Sequence, residues 1–326
     1  MTVIIRPAQP EIDFPQIAEL LSIDIGEPLP VEELFEEEEE MLPGDVRQHL
    51  VAIGANQQVV GYGRVERNRN EPKGYYHLII VVDPQHRRTG IGTALYKQID
   101  QFIQAQQATR LFAKVREKSG DCLPFAEQCG FVIRNQMFMS RIDLTSFDAS
   151  KFSGLIKTVE ETGIRFSTLE AEGNTPQARR QLYKINRIAS TDDPAATDTE
   201  FAPFDDYEKT ILDASWFQPA GQFIAFDGHS AVGLSAVSYF AEINCVWSML
   251  TGVARTHRGH KIAQALKLLT IRYAKELGAD YLNTVNDSLN EPMLAINRKL
   301  GFVRQKGLGN YGLIKELRRE EDSSTP

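Results

Sequence analysis

The stretch VDPQHRRTGIGTAL, residues 82–95, occurs again in altered form as VARTHRGHKIAQAL, residues 253–266. The offset of 171 residues is constant, because without any gap it also carries the Gly-Phe pair at 130–131 onto the Gly-Phe pair at 301–302. An agreement of this length is not expected by chance. The sequence therefore predicts two similar domains in tandem, which we place at residues 1–147 and 148–326.

Length and composition agree with two soluble domains. A chain of 326 residues is long enough for about two ordinary domains, and 42% hydrophobic with 25% charged residues is typical of globular proteins. The net charge of −8 argues against general nucleic-acid binding, which requires a basic surface. An acidic protein instead attracts cationic ligands such as amines.

Cysteine usage and the N-terminal sequence indicate a compartment. Three cysteines, Cys122, Cys129 and Cys245, form no CxxC pair, and their odd number does not resemble a disulfide framework. The start of the chain lacks a basic segment followed by an apolar one, and no window approaches roughly eighteen apolar residues. We therefore predict a cytoplasmic protein without membrane association. The six histidines form no metal-ligand pattern, so no metal is predicted.

Hydrophobic periodicity predicts the same order of elements in both halves. In the first half we expect strands at 3–5, 49–53, 59–65, 75–82, 111–115 and 131–142, with helices at 14–21, 31–41, 91–107 and 122–129. In the second half we expect strands at 164–169, 222–226, 231–239, 243–253, 281–285 and 302–317, with helices at 177–188, 262–278 and 291–300. The alternation of strands and helices indicates an α/β (α+β) fold.

The repeated loop has the chemistry of an anion site. A strand that ends at Val82 and turns through Pro84 into a helix at Ile91 directs free backbone N–H groups at one point, the positive end of the helix dipole. Gly90 and Gly92 allow an anion to approach the backbone, and arginines add charge-assisted hydrogen bonds. The predicted cofactor-binding residues are Val81, Val82, Arg87, Arg88, Thr89, Gly90, Ile91, Gly92 and Thr93 in the first half, and Gly252, Val253, Arg258, Gly259, His260, Lys261, Ile262, Ala263 and Asn290 in the second.

With these motifs the chain resembles the GNAT superfamily of acetyl-CoA-dependent N-acetyltransferases, in a tandem arrangement. The family's Q/R-x-x-G-x-G/A motif is matched in full by residues 87–92 and in part by residues 258–263. Its later N-x-x-A-x-x-L-Y-x-x-x-G-F motif is approached by residues 290–302, and in the first half it has decayed between Ser119 and Phe131. The resemblance implies, in each domain, a mixed, mostly antiparallel twisted sheet flanked by helices.

The resemblance also implies a reaction. Family members bind the pyrophosphate of acetyl-CoA at the loop, and the pantetheine arm pairs with the preceding strand, here near Val81 and Val82 or Gly252 and Val253. The thioester lies where two parallel strands diverge, which we expect after Val81 and Gly252. An amine attacks the thioester directly, a backbone N–H stabilises the oxyanion, and no covalent enzyme intermediate forms.

Two departures from the family pattern bear on which half is active. The family tyrosine that protonates the leaving thiolate is replaced by Ala126 in one half and Asn297 in the other, and neither can act as that acid. Lys261 replaces the first glycine of the second loop. Because Asn290 and Asn297 preserve amide groups for hydrogen bonding, we favour the C-terminal half as the catalytic one, and the N-terminal half as a binding copy or a second active site.

A general base is expected near the end of the central strand. The candidates are Glu66 and His77 in the first half and Glu242 and Ser248 in the second, where Ser248 aligns with His77. The predicted function is transfer of an acetyl or other short acyl group from CoA to a primary amine of a small molecule or peptide, by a monomer or homodimer. The alternatives are an acyl-CoA-sensing protein without turnover and a peptidyl or aminoacyl transferase on a similar double fold.

Overall fold

The chain forms two compact units in the computed structural model, which describes residues 3–192, 200–214 and 216–317. Unit 1 comprises Met1–Arg134 and Tyr311–Pro326, and unit 2 comprises Asn135–Asn310. These bounds differ from the sequence division at 147/148. The chain enters unit 2 at Asn135 and pairs with a strand of that unit from Met137 onward, and from Tyr311 it returns to unit 1. The sequence division marks where the repeat begins again, and as such it stays a prediction.

Unit 1 contains a mixed sheet. Its strands are β1 (Ile4–Pro7), β2 (Val46–Ile53), β3 (Val59–Arg67), β4 (Tyr75–Val82) and β5 (Arg110–Arg116). They lie in chain order with antiparallel pairing, except that β4 and β5 are parallel. Residues 311–316 of the last strand of the chain add to the sheet beside β5.

Helices cover the sheet of unit 1. They are α1 (Pro10–Ile25), α2 (Val31–Glu39), α3 (Ile91–Ala105) and α4 (Leu123–Gln128). Helix α3 buries Ile91, Leu95, Ile99 and Ile103, four positions at i, i+4 spacing. It lies close to β3, because a Cβ at Gly61 would be only 2.8 Å from the Ile91 side chain. Phe14 and Ile17 of α1 are buried in a separate cluster with Tyr62 and Val81.

Unit 2 repeats this arrangement. Its strands are β6 (Val132–Asp143, from Asn135 onward), β7 (Ile164–Thr168), β8 (Gln222–Asp227), β9 (Ser230–Phe240), β10 (Cys245–Val253), β11 (Tyr281–Asp287) and the first part of β12 (Val303–Glu316). The order is β6-β11-β10-β9-β8-β7, and β10 and β11 form the parallel pair.

The helices of unit 2 are α5 (Leu155–Glu160), α6 (Pro176–Thr191), α7 (Phe204–Tyr207), α8 (Ile262–Glu276) and α9 (Glu291–Leu300). Three of them, α6, α8 and α9, occupy positions that the sequence predicted. Ile262, Leu266 and Ile271 of α8 are buried in the core of the unit. The predicted fold class is confirmed. Helices α5 and α7 were not predicted, because elements this short show no clear periodicity.

Candidate functional site

The loop that follows β4 is held by its own side chains. Asp83 accepts a hydrogen bond from the Gln85 backbone N–H at 3.0 Å and contacts His86 Nδ1 at 2.9 Å. Arg87 Nε donates to the Val82 carbonyl at 3.2 Å, which fixes the guanidinium next to the strand end. The loop thus places a cation immediately before helix α3.

The start of α3 presents its backbone N–H groups without a capping side chain. The N-cap is Gly90, with φ of 88°, and among the described residues no side chain accepts a hydrogen bond from the N–H groups of the first turn as a cap. A Cβ at Gly90 would meet no atom within 4 Å, so the space in front of the helix is open. Ile91, 3% exposed, anchors the first turn in the core. Open space, free donors and the helix dipole together suit an anion.

The loop after β10 has the same construction. Arg258 Nε donates to the Val253 carbonyl at 3.0 Å, and buried Ile262 begins α8. Lys261 takes the left-handed N-cap conformation of Gly90, with φ of 64°. Its side chain is exposed, as are those of Arg258 and His260. Lys261 therefore preserves the backbone path of the loop while adding a positive charge to it.

A carboxylate distinguishes the second loop from the first. Asp192, at the C-terminus of α6, accepts hydrogen bonds from Arg258 and Arg255, each at 2.6 Å. The bond from Arg255 is the main reason that the pKa of Asp192 lies below its usual value. In the first loop, Arg87 Nη1 lies 3.9 Å from Asp121. The guanidinium of Arg258 is thus already engaged by an anion of the protein.

The parallel strands diverge beside each loop. In unit 1 the β4–β5 ladder ends at Leu78 and Ala113, although β4 continues to Val82. In unit 2 the β10–β11 ladder ends at Ser248 and Thr284. The prediction that divergence begins after Val81 and Gly252 is wrong: it begins earlier, so a longer stretch of each central strand is free of its parallel neighbour.

A bulge marks the divergence in unit 2. The register of β10 against β9 shifts between Ser248 and Leu250, so Met249 is an extra residue. The β3–β4 ladder of unit 1 runs without a shift from Gly61–Val82 to Glu66–His77. Bulges redirect side chains and backbone groups, and they are common next to active sites.

Buried polar side chains lie under α9 next to this divergence. Asn297, 3% exposed, donates from Nδ2 to Asn286 Oδ1 at 2.6 Å, and Asn286 donates to Ser140 Oγ at 2.9 Å. Asn297 Oδ1 is buried and has no hydrogen-bond partner. At the 171-residue offset, unit 1 has Val115 and Ala126 in place of the two asparagines. The buried amide pair is thus a feature of unit 2.

A buried lysine lies next to the last residue of β10 that pairs with β11. Lys267 of α8 is 2% exposed, and its Nζ lies 3.5 Å from Ser248 Oγ. The same Nζ lies 5.1 Å from the centre of the Phe302 ring. Burial lowers the pKa of Lys267 to about 8. We call Lys267, Ser248, Asn286 and Asn297 the polar cluster of unit 2.

The predicted general bases do not all lie at a divergence. Glu66 is ion-paired with Arg47 at 2.7 Å and with Arg64 at 3.4 Å. Glu242 lies exposed in the turn before β10, at the opposite end of that strand from the loop that carries Arg258, and is not part of the polar cluster. His77 lies one residue before the end of its ladder and contacts Glu71 at 2.5 Å. Ser248, by contrast, is the last residue of β10 that pairs with β11.

Several predicted cofactor-binding residues have structural contacts of their own. Val81 and Val253 are each 7% exposed, so only their backbone can meet a ligand. A Cβ at Gly252 would lie 2.3 Å from Ala189 Cβ, so the lack of a side chain at Gly252 allows helix α6 to pack closely on β10. Gly92 packs on the Phe125 ring, and Asn290 caps α9 by accepting from the Met293 N–H at 3.3 Å. Arg88, Thr89, Thr93 and Gly259 are exposed and Val82 and Ala263 half-buried around the helix starts.

Lys267, Asn286 and the bulge at Met249 were not predicted from the sequence. A signal existed for Lys267, because it occupies a position on α8 flanked by apolar residues that are all buried. Asn286 and Met249 gave no such signal. Among the described residues, no three or more His, Cys, Asp or Glu side chains are grouped as a metal site requires. Within the same ranges, no helix has the length and apolar composition needed to cross a membrane.

The sequence profile of the Acetyltransferase (GNAT) family matches residues 14–131 and again residues 182–302, well over half of the chain. Mycothiol acetyltransferase of Rhodococcus erythropolis is 26% identical over 266 residues, covering 79% of this chain and 81% of that protein. Mycothiol acetyltransferase of Streptomyces scabiei is 24% identical over 258 residues, covering 79% and 77%.

Solved structures share the fold over nearly the whole chain. The GCN5-related N-acetyltransferase of Sphaerobacter thermophilus has a TM-score of 0.67 at 20% identity, covering 97% of this chain and 96% of that one. A tandem GNAT protein from the clavulanic acid biosynthesis pathway has a TM-score of 0.64 at 18% identity, covering 98% and 100%. At these identities the structures bear on the fold alone.

Proposed function

This chain belongs to the GNAT acetyltransferase family and is an acetyltransferase, and on that premise we propose that unit 2 transfers an acetyl group from acetyl-CoA to a primary amine. The observation that carries this assignment is the polar cluster at the end of the β10–β11 ladder. Unit 1 has Ala126, Val115 and Tyr96 where unit 2 has Asn297, Asn286 and Lys267. Unit 1 also lacks a bulge in the described part of β4.

The residues of unit 2 fit acetyl-CoA, which supplies the acetyl group as a thioester. The N–H groups at the start of α8, with Arg258 and Lys261, suit a pyrophosphate. The backbone of β10 beyond Ser248 is free of β11 and can pair with an amide-containing arm. Asn297 Oδ1 is a buried acceptor without a partner, and a ligand N–H or O–H would relieve its desolvation.

The chain's own groups favour direct transfer. A backbone N–H at the bulge can donate to the oxygen on which negative charge develops. Cys245 is 3% exposed and its pKa is raised by burial, so its thiolate is disfavoured as a nucleophile. Attack by the acceptor nitrogen on the thioester therefore needs no covalent intermediate on the protein.

We propose a small-molecule amine as the acceptor. The relatives that match most of this chain bear the name mycothiol acetyltransferase. The net charge of −8 favours a cationic acceptor. Unit 1, which keeps the open loop but lacks the polar cluster, is proposed to bind acyl-CoA without turnover.

A calorimetric titration with acetyl-CoA, followed by turnover with amino sugars, amino acids, aminothiols, polyamines and short peptides, tests this proposal. We expect two binding sites per chain, one of which disappears in Arg87→Ala, and turnover with at least one small amine. Tight binding with no turnover across the panel would contradict the enzymatic role and favour the sensing alternative.

Replacing Asn297 with leucine is expected to lower kcat/KM about 10- to 100-fold. The near-isosteric change removes Asn297 Oδ1, the buried acceptor without a partner. It also leaves buried Asn286 Oδ1 without its donor, and an unsatisfied buried polar group costs about 1–3 kcal/mol. The control is Lys299→Met, on the exposed side of the same helix, with steady-state kinetics on both. Full activity of Asn297→Leu would contradict the assignment of the polar cluster to the active site.

Replacing Asp192 with asparagine is expected to strengthen acetyl-CoA binding at unit 2 roughly two- to five-fold, since an exposed ion pair contributes up to about 1 kcal/mol. The pKa of Asp192 lies below its usual value, so at neutral pH the carboxylate is ionised and competes with pyrophosphate for Arg258. Calorimetry of this variant beside Asp121→Asn, whose carboxylate lies 3.9 Å from Arg87, measures the effect. Weaker binding by Asp192→Asn would mean that Asp192 orients Arg258 instead of competing for it.

A further inference from the structure

Lys267 is a buried amine without a counter-charge. Its side chain comes from the middle of α8, and the residue is 2% exposed. In the described part of the chain it forms no ion pair, and burial is the single cause of its lowered pKa, so no charged group on α8, α9, β10 or β11 offsets it. Its polar contact is the Ser248 hydroxyl at 3.5 Å, and Phe302 lies beneath it.

The equivalent place in unit 1 is filled differently. Tyr96 stands at the position of Lys267, donates to the Cys129 carbonyl at 3.2 Å and accepts from Lys315 Nζ at 2.6 Å. Both of its hydrogen-bonding roles are therefore used within unit 1. The unpaired ammonium thus belongs to unit 2 alone among the described residues, the same unit that has the bulge and the buried asparagines.

An isolated buried ammonium is costly unless an anion joins it. Ser248, its contact, is the last residue of β10 that pairs with β11, at the point where these two strands diverge. Under the proposed function, the C–S bond breaks in this region and leaves negative charge on sulfur. Asn297, at the position where the family motif has tyrosine, carries no dissociable proton. A buried cation and a developing anion at one place stabilise each other.

We propose that Lys267, acting through the Ser248 hydroxyl, stabilises and protonates the CoA thiolate that leaves during acetyl transfer in unit 2. This inference rests on the proposed function. The acceptor nitrogen forms the new C–N bond and releases one proton to solvent, while the C–S electron pair stays on sulfur. Ser248 passes its hydroxyl proton to sulfur and regains one from the Lys267 ammonium. The neutral amine then takes a proton from solvent, so the net products are the amide and CoA thiol.

A thiol titration tests this positioning role without turnover. CoA bound to the protein is titrated between pH 6 and 10, and the ultraviolet absorbance of the thiolate reports its ionisation. A thiol in water has a pKa of about 8.5, and we expect the site in unit 2 to lower that of CoA by about one unit. The variant Lys267→Met should abolish the fraction of bound CoA that has a lowered thiol pKa. The control Lys275→Met, which replaces an exposed lysine of the same helix, should retain that fraction.

Kinetics with an amine that the turnover panel shows to be an acceptor provide a second readout. Lys267→Met and Ser248→Ala should each lower kcat about 10- to 100-fold, with little change in KM for acetyl-CoA. If Lys267→Met fails to fold, Ser248→Ala carries the same two readouts. Identical thiol titrations in wild type and both variants would overturn the inference even if acetyl transfer occurs. A thiol pKa that depends on Lys267, together with no turnover of any amine, would uphold the inference about the bound thiol and refute the proposed acetyl transfer.

Discussion

Replacing Gly252 with alanine is expected to destabilise unit 2 by about 1–3 kcal/mol, the usual range for an overpacked core. A Cβ at this position would lie 2.3 Å from Ala189 Cβ and 3.2 Å from Ala189 Cα. Neither of these atoms belongs to a flexible side chain, so helix α6 must move away from β10. The midpoint of urea unfolding, followed by circular dichroism, measures the loss.

Removing the opposing methyl group provides the decisive control. The double variant Gly252→Ala/Ala189→Gly should recover part of the lost stability, although glycine near the end of α6 itself costs about 1 kcal/mol. Gly120→Ala, where a Cβ meets no atom within 4 Å, should change stability little. A Gly252→Ala protein as stable as wild type, or a double variant with no recovery, would contradict the close packing of α6 on β10.

This contact also bears on binding, because α6 ends at Asp192. The helix that Gly252 admits carries the carboxylate that holds Arg258. Displacing α6 should therefore weaken the Asp192–Arg258 contact as well. Gly252 stays a predicted cofactor-binding residue, and we expect it also to act on the loop indirectly, through the helix that packs against it.

The elements that sequence predicted well are those specified by local chemistry. The two loops that we predict to bind an anion follow from a strand, an arginine and a left-handed residue before a helix, all within about ten residues. The structure bears out the geometry, including Arg87 and Arg258 bonded to the preceding strand in the same way. Strands and helices with clear periodicity were also predicted close to their observed bounds.

The elements that sequence missed depend on distant segments. The contacts among Asn286, Asn297 and Ser140 form only because β11, α9 and β6 lie together. No spacing in the sequence predicts these contacts. Glu242, which stays a predicted general base, shows the opposite case. Glu242 is only six residues from Ser248 in the sequence. Because an extended strand rises about 3.3 Å per residue, the two residues nevertheless lie well apart along the direction of β10.

Lys267→Met is expected to stabilise unit 2 by up to about 3 kcal/mol at neutral pH. Burial lowers the pKa of Lys267 from 10.5 to about 8, and each pKa unit corresponds to about 1.4 kcal/mol. Methionine has a similar shape and no charge to desolvate, as in other replacements of buried charges by apolar residues. A stabilised variant with lower kcat would show that this lysine is retained for activity at a cost in stability.

The advantage of methionine should depend on pH in a defined direction. Between pH 8 and 10.5 the unfolded chain binds more protons at Lys267 than the folded chain does, so wild-type stability rises with pH in that window. Below about pH 8 both states are protonated and the full penalty persists. The difference between Lys267→Met and wild type should therefore be largest at neutral pH and shrink toward pH 10.5.

Urea unfolding of both proteins at several pH values from 7 to 10 measures this difference. Two units can unfold separately, and the transition that Gly252→Ala shifts identifies that of unit 2. Lys275→Met, on the exposed side of α8, should show no comparable pH-dependent difference from wild type. A Lys267→Met protein that is less stable at pH 7, or a difference that stays constant with pH, would mean that the ammonium of Lys267 is compensated in the folded state. The ammonium would then be stabilised within the protein itself and would not require the CoA thiolate as a counter-charge.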